Sequence, residues 1–91
     1  MEHALWYLFV GTRGGSTRVQ IVRALSSHPK NANQLATELD LSYTTVRYHL
    51  DRLGEHDVLT EGTESYGTLY FLTDAFEQHR DVFERITREV E

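Results

Sequence analysis

Cysteine is absent from this 91-residue chain, proline occurs once (Pro29) and lysine once (Lys30). Without cysteine there is no disulfide framework, no thiolate metal centre and no cysteine nucleophile, and a reducing cytoplasm is the expected setting. Long hydrophobic stretches are missing too. The longest apolar run, Ala4 to Val10, has seven residues, far short of the roughly 20 a membrane-spanning helix needs. It follows Glu2 and His3 rather than the basic start of a signal peptide, so it reads as packing surface. With no internal repeat or low-complexity tract, the chain reads as one compact domain over residues 1–91, too small for a separate catalytic lobe.

Charge is present but unevenly spread. The formal net charge is −5, yet residues 1–53 carry six basic and four acidic side chains, whereas residues 54–91 carry three and ten. Between Gly11 and Lys30 stand Arg13, Arg18, Arg23 and Lys30 with no carboxylate. That stretch is either an anion-facing segment or a solvated helix face.

The spacing of apolar and capping residues predicts a mostly helical domain with a small β-hairpin. Residues 1–10 are too short for periodicity to decide, and a short helix is preferred over a strand. Gly11-Thr12-Arg13-Gly14-Gly15 is a turn, after which Ser16 or Thr17 caps a helix that stops before His28-Pro29. Asn31 with Gln34 has capping-box spacing and opens a short helix ending near Asp40. Ser42 caps a third helix running to Gly54, where glycine supplies a left-handed stop. Residues 11–54 thus form a three-helix core. Val58 to Thr63 and Thr68 to Leu72 read as a hairpin within 58–72, of undetermined register because Leu69/Phe71 and Tyr70/Leu72 are both apolar pairs. Asp74 and Glu77 offer a second capping box, opening a final helix over 74–90.

In the third helix, residues 42–54, the buried stripe is Val46, Leu50 and Leu53. At 100° per residue Thr44, Tyr48 and Asp51 then point outward, flanked by Thr45, Arg47 and Arg52. Two helices joined by so tight a turn, followed by a hairpin and another helix, have the layout of a winged helix-turn-helix.

The stretch from Asn33 through Gln34-Leu35-Ala36-Thr37-Glu38-Leu39-Asp40-Leu41-Ser42-Tyr43-Thr44-Thr45-Val46-Arg47-Tyr48-His49-Leu50 to Leu53 resembles archaeal winged-helix regulators of the ArsR/MarR type. Leu5-Trp6-Tyr7-Leu8-Phe9 followed by Gly11-Thr12-Arg13-Gly14-Gly15, and Tyr66-Gly67 leading to Leu72-Thr73-Asp74, look like the haloarchaeal branch. The scarcity of lysine among nine basic residues, against fourteen acids, resembles proteins of halophiles. The resemblance implies a homodimeric regulator of transcription that binds double-stranded DNA and puts its third helix into the major groove. On that reading Thr44, Arg47 and Tyr48 meet base edges, Ser42, Tyr43 and Thr45 hold phosphates near the helix N-terminus, and Arg13 and Tyr66 lie near the backbone. Asp51 argues for an ordinary polar surface unless it faces a cytosine amino group or pairs with Arg47. Leu5, Trp6, Phe9, Phe83, Ile86 and Val90 are the expected dimer interface, the alternative being that these two segments pack on each other within one chain.

Other chemistry is weakly supported. Gly11 to Gly15 lacks the lysine ending and βαβ setting of a phosphate-binding loop. His3, His28, His49, His56 and His79 are too scattered for a metal site, and no cofactor is expected. His49 reads as a structural, hydrogen-bonded histidine. No acid/base pair or nucleophile elbow marks an enzyme. The wing lacks basic residues between Asp57 and Asp74, so it either contributes little to DNA binding or contacts protein. A winged helix that binds protein through the acidic wing and the Tyr48 face is therefore the rival reading. Because the acids concentrate in the hairpin and last helix, a shallower salt dependence than a basic repressor's is expected.

Overall fold

The structure is a computed structural model, which describes residues 1–64 and 67–90, with backbone only at positions 64 and 90. Among the described residues the elements follow in the order α1 (Glu2–Trp6), continued by a π-turn over Tyr7–Gly11, α2 (Gly15–Ser27), α3 (Ala32–Leu39), α4 (Tyr43–Glu55), β1 (Leu59–Glu64), β2 (Gly67–Leu72), α5 (Asp74–Glu77) and α6 (Arg80–Val90). This is the mostly helical, hairpin-bearing winged helix-turn-helix that the sequence predicts.

The local signals acted where the chemistry is local. Asn31 Oδ1 accepts from Gln34 N while Gln34 Oε1 accepts from Asn31 N, both at 2.8 Å, a closed capping box. Ser42 Oγ accepts from Thr45 N at 3.0 Å and so starts α4. Between them Asp40 takes the left-handed conformation (φ 57°), and Leu41 N donates to Ala36 O, which turns the chain sharply between α3 and α4.

Three helix boundaries differ from expectation. α2 is capped not by Ser16 or Thr17 but by Gly14, left-handed at φ 91°, because Gly15 already enters the helix in close contact with the end of α1. α4 runs past Gly54 to Glu55, and the left-handed residue is Asp57 (φ 62°), whose N–H reaches Gly54 O. The last helix is capped by Thr73 rather than Asp74, Thr73 Oγ1 accepting from Phe76 N, and it is interrupted at residues 78–79 between α5 and α6.

The hairpin pairs Leu59 with Leu72 and Glu61 with Tyr70. This register turns Tyr70 into the core and leaves Leu69 and Phe71 half-buried. Lys30 adds a single bridge, its carbonyl accepting from Tyr70 N at 2.9 Å, and so ties the hairpin to the start of α3.

The residues expected at a dimer interface lie mostly inside the molecule. Leu5, Phe9, Phe83 and Ile86 are fully buried among one chain's own helices, with Phe9 edge-on to Phe83 at 5.1 Å and Phe83 edge-on to Phe76 at 5.3 Å. The two segments pack on each other, so these four offer no surface to a second copy. Trp6 is half-buried against the same core, and the Val90 side chain lies outside the described residues. The cation-rich stretch 11–30 likewise fails to form one face. Arg18 and Lys30 are buried, Arg23 pairs with Glu84 at 3.5 Å, and Arg13 is exposed. Lys30 Nζ donates to Ala24 O at 2.6 Å and meets Glu38 at 3.1 Å, closing off the carbonyl end of α2.

Candidate nucleic-acid interface

α4 is fixed by burial on one side and open on the other. Val46, Leu50 and Leu53 are buried, as the 100° spacing requires, and Tyr43, Thr44, Tyr48 and Asp51 face solvent, Tyr48 with 57 % of its surface exposed. Tyr48 and Tyr43 are among the most exposed large hydrophobic side chains of the described residues. Such amphipathic rings are suited to contact with a partner.

Ser42 and Thr45 spend their hydroxyls on each other and on the cap, Ser42 Oγ donating to Thr45 Oγ1 at 2.9 Å. Arg47 lies along the helix toward the hairpin. Its Nη1 donates to Tyr43 Oη at 3.2 Å and its Nη2 stands 3.7 Å from Asp51. Asp51 thus pairs with Arg47, the arrangement that reconciles a carboxylate with this surface. Both partners are substantially exposed, so the pair holds Arg47 only weakly.

On the hairpin side a cleft of about 200 Å³ separates α4 from the start of α3 and from β2, lined by Asn31, Asn33, Tyr43, Arg47, Thr68 and Tyr70. Asn33 and Thr68 were not singled out by sequence reasoning. Asn33 lies in the first turn of α3, which the capping box announces, whereas Thr68 required the hairpin's register. Tyr66 lies outside the described residues, and Arg13 sits in the turn on the opposite flank of α4.

Beneath this surface His49 and Arg18 join α4 to the N-terminal segment. Arg18 keeps 2 % of its surface exposed and His49 7 %. The guanidinium gives Nε–H to Leu8 O at 2.7 Å, Nη2 to Thr12 Oγ1 at 2.6 Å and to Arg13 O at 3.0 Å, and Nη1 to His49 Nδ1 at 3.0 Å. An arginine only donates, so His49 Nδ1 accepts and the ring is neutral with its proton on Nε2. Burial pushes the His49 pKa below its ordinary 6.5, and the Arg18 charge lowers it further. The Arg18 guanidinium is also lowered by burial, yet it stays charged.

Below pH 6.5 the unfolded chain takes up a proton that folded His49 resists, so stability is complete above that pH and falls as pH drops toward the lowered folded value. NMR titration should give His49 a midpoint below 6.5, and His49→Asn, which keeps an acceptor for Arg18, should flatten part of the loss of Tm between pH 7 and 5. An unshifted midpoint with identical acid profiles would refute the neutral, accepting ring.

The fold recurs in solved regulators. The PcaV transcriptional regulator of Streptomyces coelicolor, solved with its natural ligand, superposes with a TM-score of 0.71 at 24% identity, over 92% of this chain and 63% of that one. The adhesin competence repressor AdcR of Streptococcus pyogenes gives 0.62 at 20% identity, over 80% and 65%. ZitR of Lactococcus lactis gives 0.63 at 20% identity, over 82% and 56%. The chain therefore spans less than two thirds of the length of these structures. No curated protein matches it in sequence. The profile of the arsR family of bacterial regulatory proteins matches residues 15–60, from the start of α2 to the first residues of the hairpin and just over half of the chain. By that match, on a winged helix-turn-helix whose α4 keeps its outer face free, the chain belongs to the ArsR family of regulatory proteins.

Proposed function

We propose that the protein is a sequence-specific regulator of transcription that binds double-stranded DNA as a homodimer, with α4 in the major groove and no catalytic role. One observation carries this reading: a helix held rigidly by Val46, Leu50 and Leu53 projects Tyr43, Thr44, Arg47 and Tyr48 from a single exposed face. A major groove about 12 Å wide admits such a helix and displays a distinct donor and acceptor pattern for each base pair. Arg47 then reads a guanine edge, Thr44 and Tyr48 contact neighbouring bases, and the capped N-terminus of α4 faces a phosphate.

A 13-residue helix brings few side chains to base edges. Two copies on half-sites one helical turn apart double that reading, which favours the dimer. With the four interior residues excluded, the outside of the N-terminal segment, where Val10 is exposed and Trp6 half-buried, is a surface on which two copies can pair. The acid-rich, lysine-poor composition fits a salt-adapted archaeal cytoplasm, where contacts by hydrogen bond and shape outlast screening. No described helix is long and apolar enough to cross a membrane.

Selection of bound duplexes from a random pool is expected to return a two-fold symmetric motif with half-sites about 10 base pairs apart, and light scattering at tens of micromolar a dimer mass. A monomer with no enriched motif would defeat this reading. One feature favours the rival: between the C-terminal half of α4 and the hairpin, a cleft of about 630 Å³ is lined by Asp51, Glu55, Asp57 and Glu61. A basic protein partner fits that charge better than a phosphate does.

A further inference from the structure

A helix lying in the major groove is walled by a phosphate strand on each side, so a reader of duplex DNA needs anion-compatible chemistry on both flanks. On the hairpin side, Asn31, Asn33 and Arg47 line the cleft beside the N-terminal half of α4, whereas the acid-lined cleft lies beside its C-terminal half. On the other flank, a second cleft of about 150 Å³ opens between the end of α1, the turn before α2 and α4, walled by Tyr7, Thr12, Arg13, Arg18, Tyr48 and Arg52. Three of those residues are arginines, and no aspartate or glutamate lines the cleft among the described residues.

The arginines are not equivalent. Arg18 forms the floor, buried, with its contacts going to two carbonyls, a hydroxyl and a neutral imidazole rather than to a carboxylate. Its charge is therefore hydrogen-bonded but not cancelled. Arg52 is held in the wall by Tyr7 Oη, 3.2 Å from Nη2, while Glu55 meets Nη1 at 3.1 Å from outside the cleft. Arg13 is exposed at the rim. The π-turn of α1 brings Tyr7 to this position, Thr12 Oγ1 donating to Tyr7 O at 2.9 Å. A guanidinium fork matches the oxygens of a phosphate in charge and geometry, and the cleft is lined by three of them.

We propose that this cleft is an oxyanion site which takes a phosphate group, and that Arg13 and Arg52 are the residues that engage it. The inference rests on the DNA-binding reading for its source, a phosphodiester of the duplex backbone; a free phosphate is the other source of the same chemistry. Neither arginine is buried, so Arg13→Gln and Arg52→Gln are expected to keep the wild-type Tm.

Two measurements on the full chain separate the outcomes. Fluorescence anisotropy with a random-sequence duplex gives the slope of log affinity against log salt, and each substitution should weaken binding equally across sequences and reduce the slope by about 0.9. Arg52→Lys, which keeps the charge, should retain the wild-type slope. Unchanged slopes in both glutamine variants, with wild type binding duplex, would overturn the site while leaving the DNA reading intact. The second measurement titrates inorganic phosphate at constant ionic strength and follows the backbone amides of Thr12 and Arg13 and the Arg18 Nε–H by NMR. If wild type binds no duplex, the DNA reading fails, and saturable shifts lost in the double glutamine variant would uphold the oxyanion site with free phosphate as its source. Absence of both duplex binding and phosphate shifts would overturn it.

Discussion

Gly15→Ala is expected to lower Tm by on the order of 10 °C. A Cβ at position 15 would stand 2.3 Å from Phe9 O and 2.7 Å from Phe9 C, both backbone atoms that no side-chain rotation can move aside. α2 would have to back away from the end of α1, and with it would go the seat of Phe9 against Phe83. Overpacking of this kind costs about 1–3 kcal/mol, and each kcal/mol moves Tm by roughly 4–8 °C in a domain of this size. Gly54→Ala is the control. It lies within α4, an added Cβ there meets nothing within 4 Å, and alanine should stabilise the helix by about 0.5–1 kcal/mol. Thermal unfolding followed by circular dichroism checks both signs; a Gly15→Ala protein melting within a degree of wild type would show that the α1–α2 contact is softer than its geometry implies.

What could be read from the sequence was what a few neighbouring residues decide among themselves. Asn31 with Gln34, and Ser42 with the backbone of Thr45, are three residues apart, so their caps are visible as spacing. The outer face of α4 was legible for the same reason, since its period fixes which side chains share a side. Choices settled by distant partners were not. Nothing near Arg18 or Lys30 in the chain says that a cation will be buried; the acceptors that bury Arg18 come from Leu8, Thr12, Arg13 and His49, on three different segments. Likewise the apolar stripes around Phe9 and Phe83 announce a partner without saying whose, and the answer is each other. Hairpin register, hence the inward turn of Tyr70 and the position of Thr68, waited on the bridge to Lys30. Tyr7 in the arginine-lined cleft had no signal, being one aromatic in an apolar run.

Arg47→Ala carries the other large expected effect. Its guanidinium is tethered by one 3.2 Å hydrogen bond to Tyr43 and an exposed 3.7 Å pair with Asp51. Releasing those contacts costs little, because exposed pairs contribute little, and the Nε–H is buried without an acceptor among the described residues, so the side chain has something to gain by moving. On the proposed DNA-binding reading, a fork swung outward from α4 would meet a guanine by two parallel hydrogen bonds, the commonest specific contact in the major groove. Losing that contact should weaken binding to the preferred sequence by roughly 5- to 150-fold while leaving binding to scrambled duplex almost unaltered.

The most direct test is therefore a pair of titrations of wild type and Arg47→Ala, at one fixed salt concentration, against the duplex enriched from the random pool and against its scramble. The expected result is a wild-type preference for the enriched sequence that largely collapses in the variant through loss on that sequence alone. Equal affinity of the two proteins for the enriched duplex would contradict base reading by the outer face of α4.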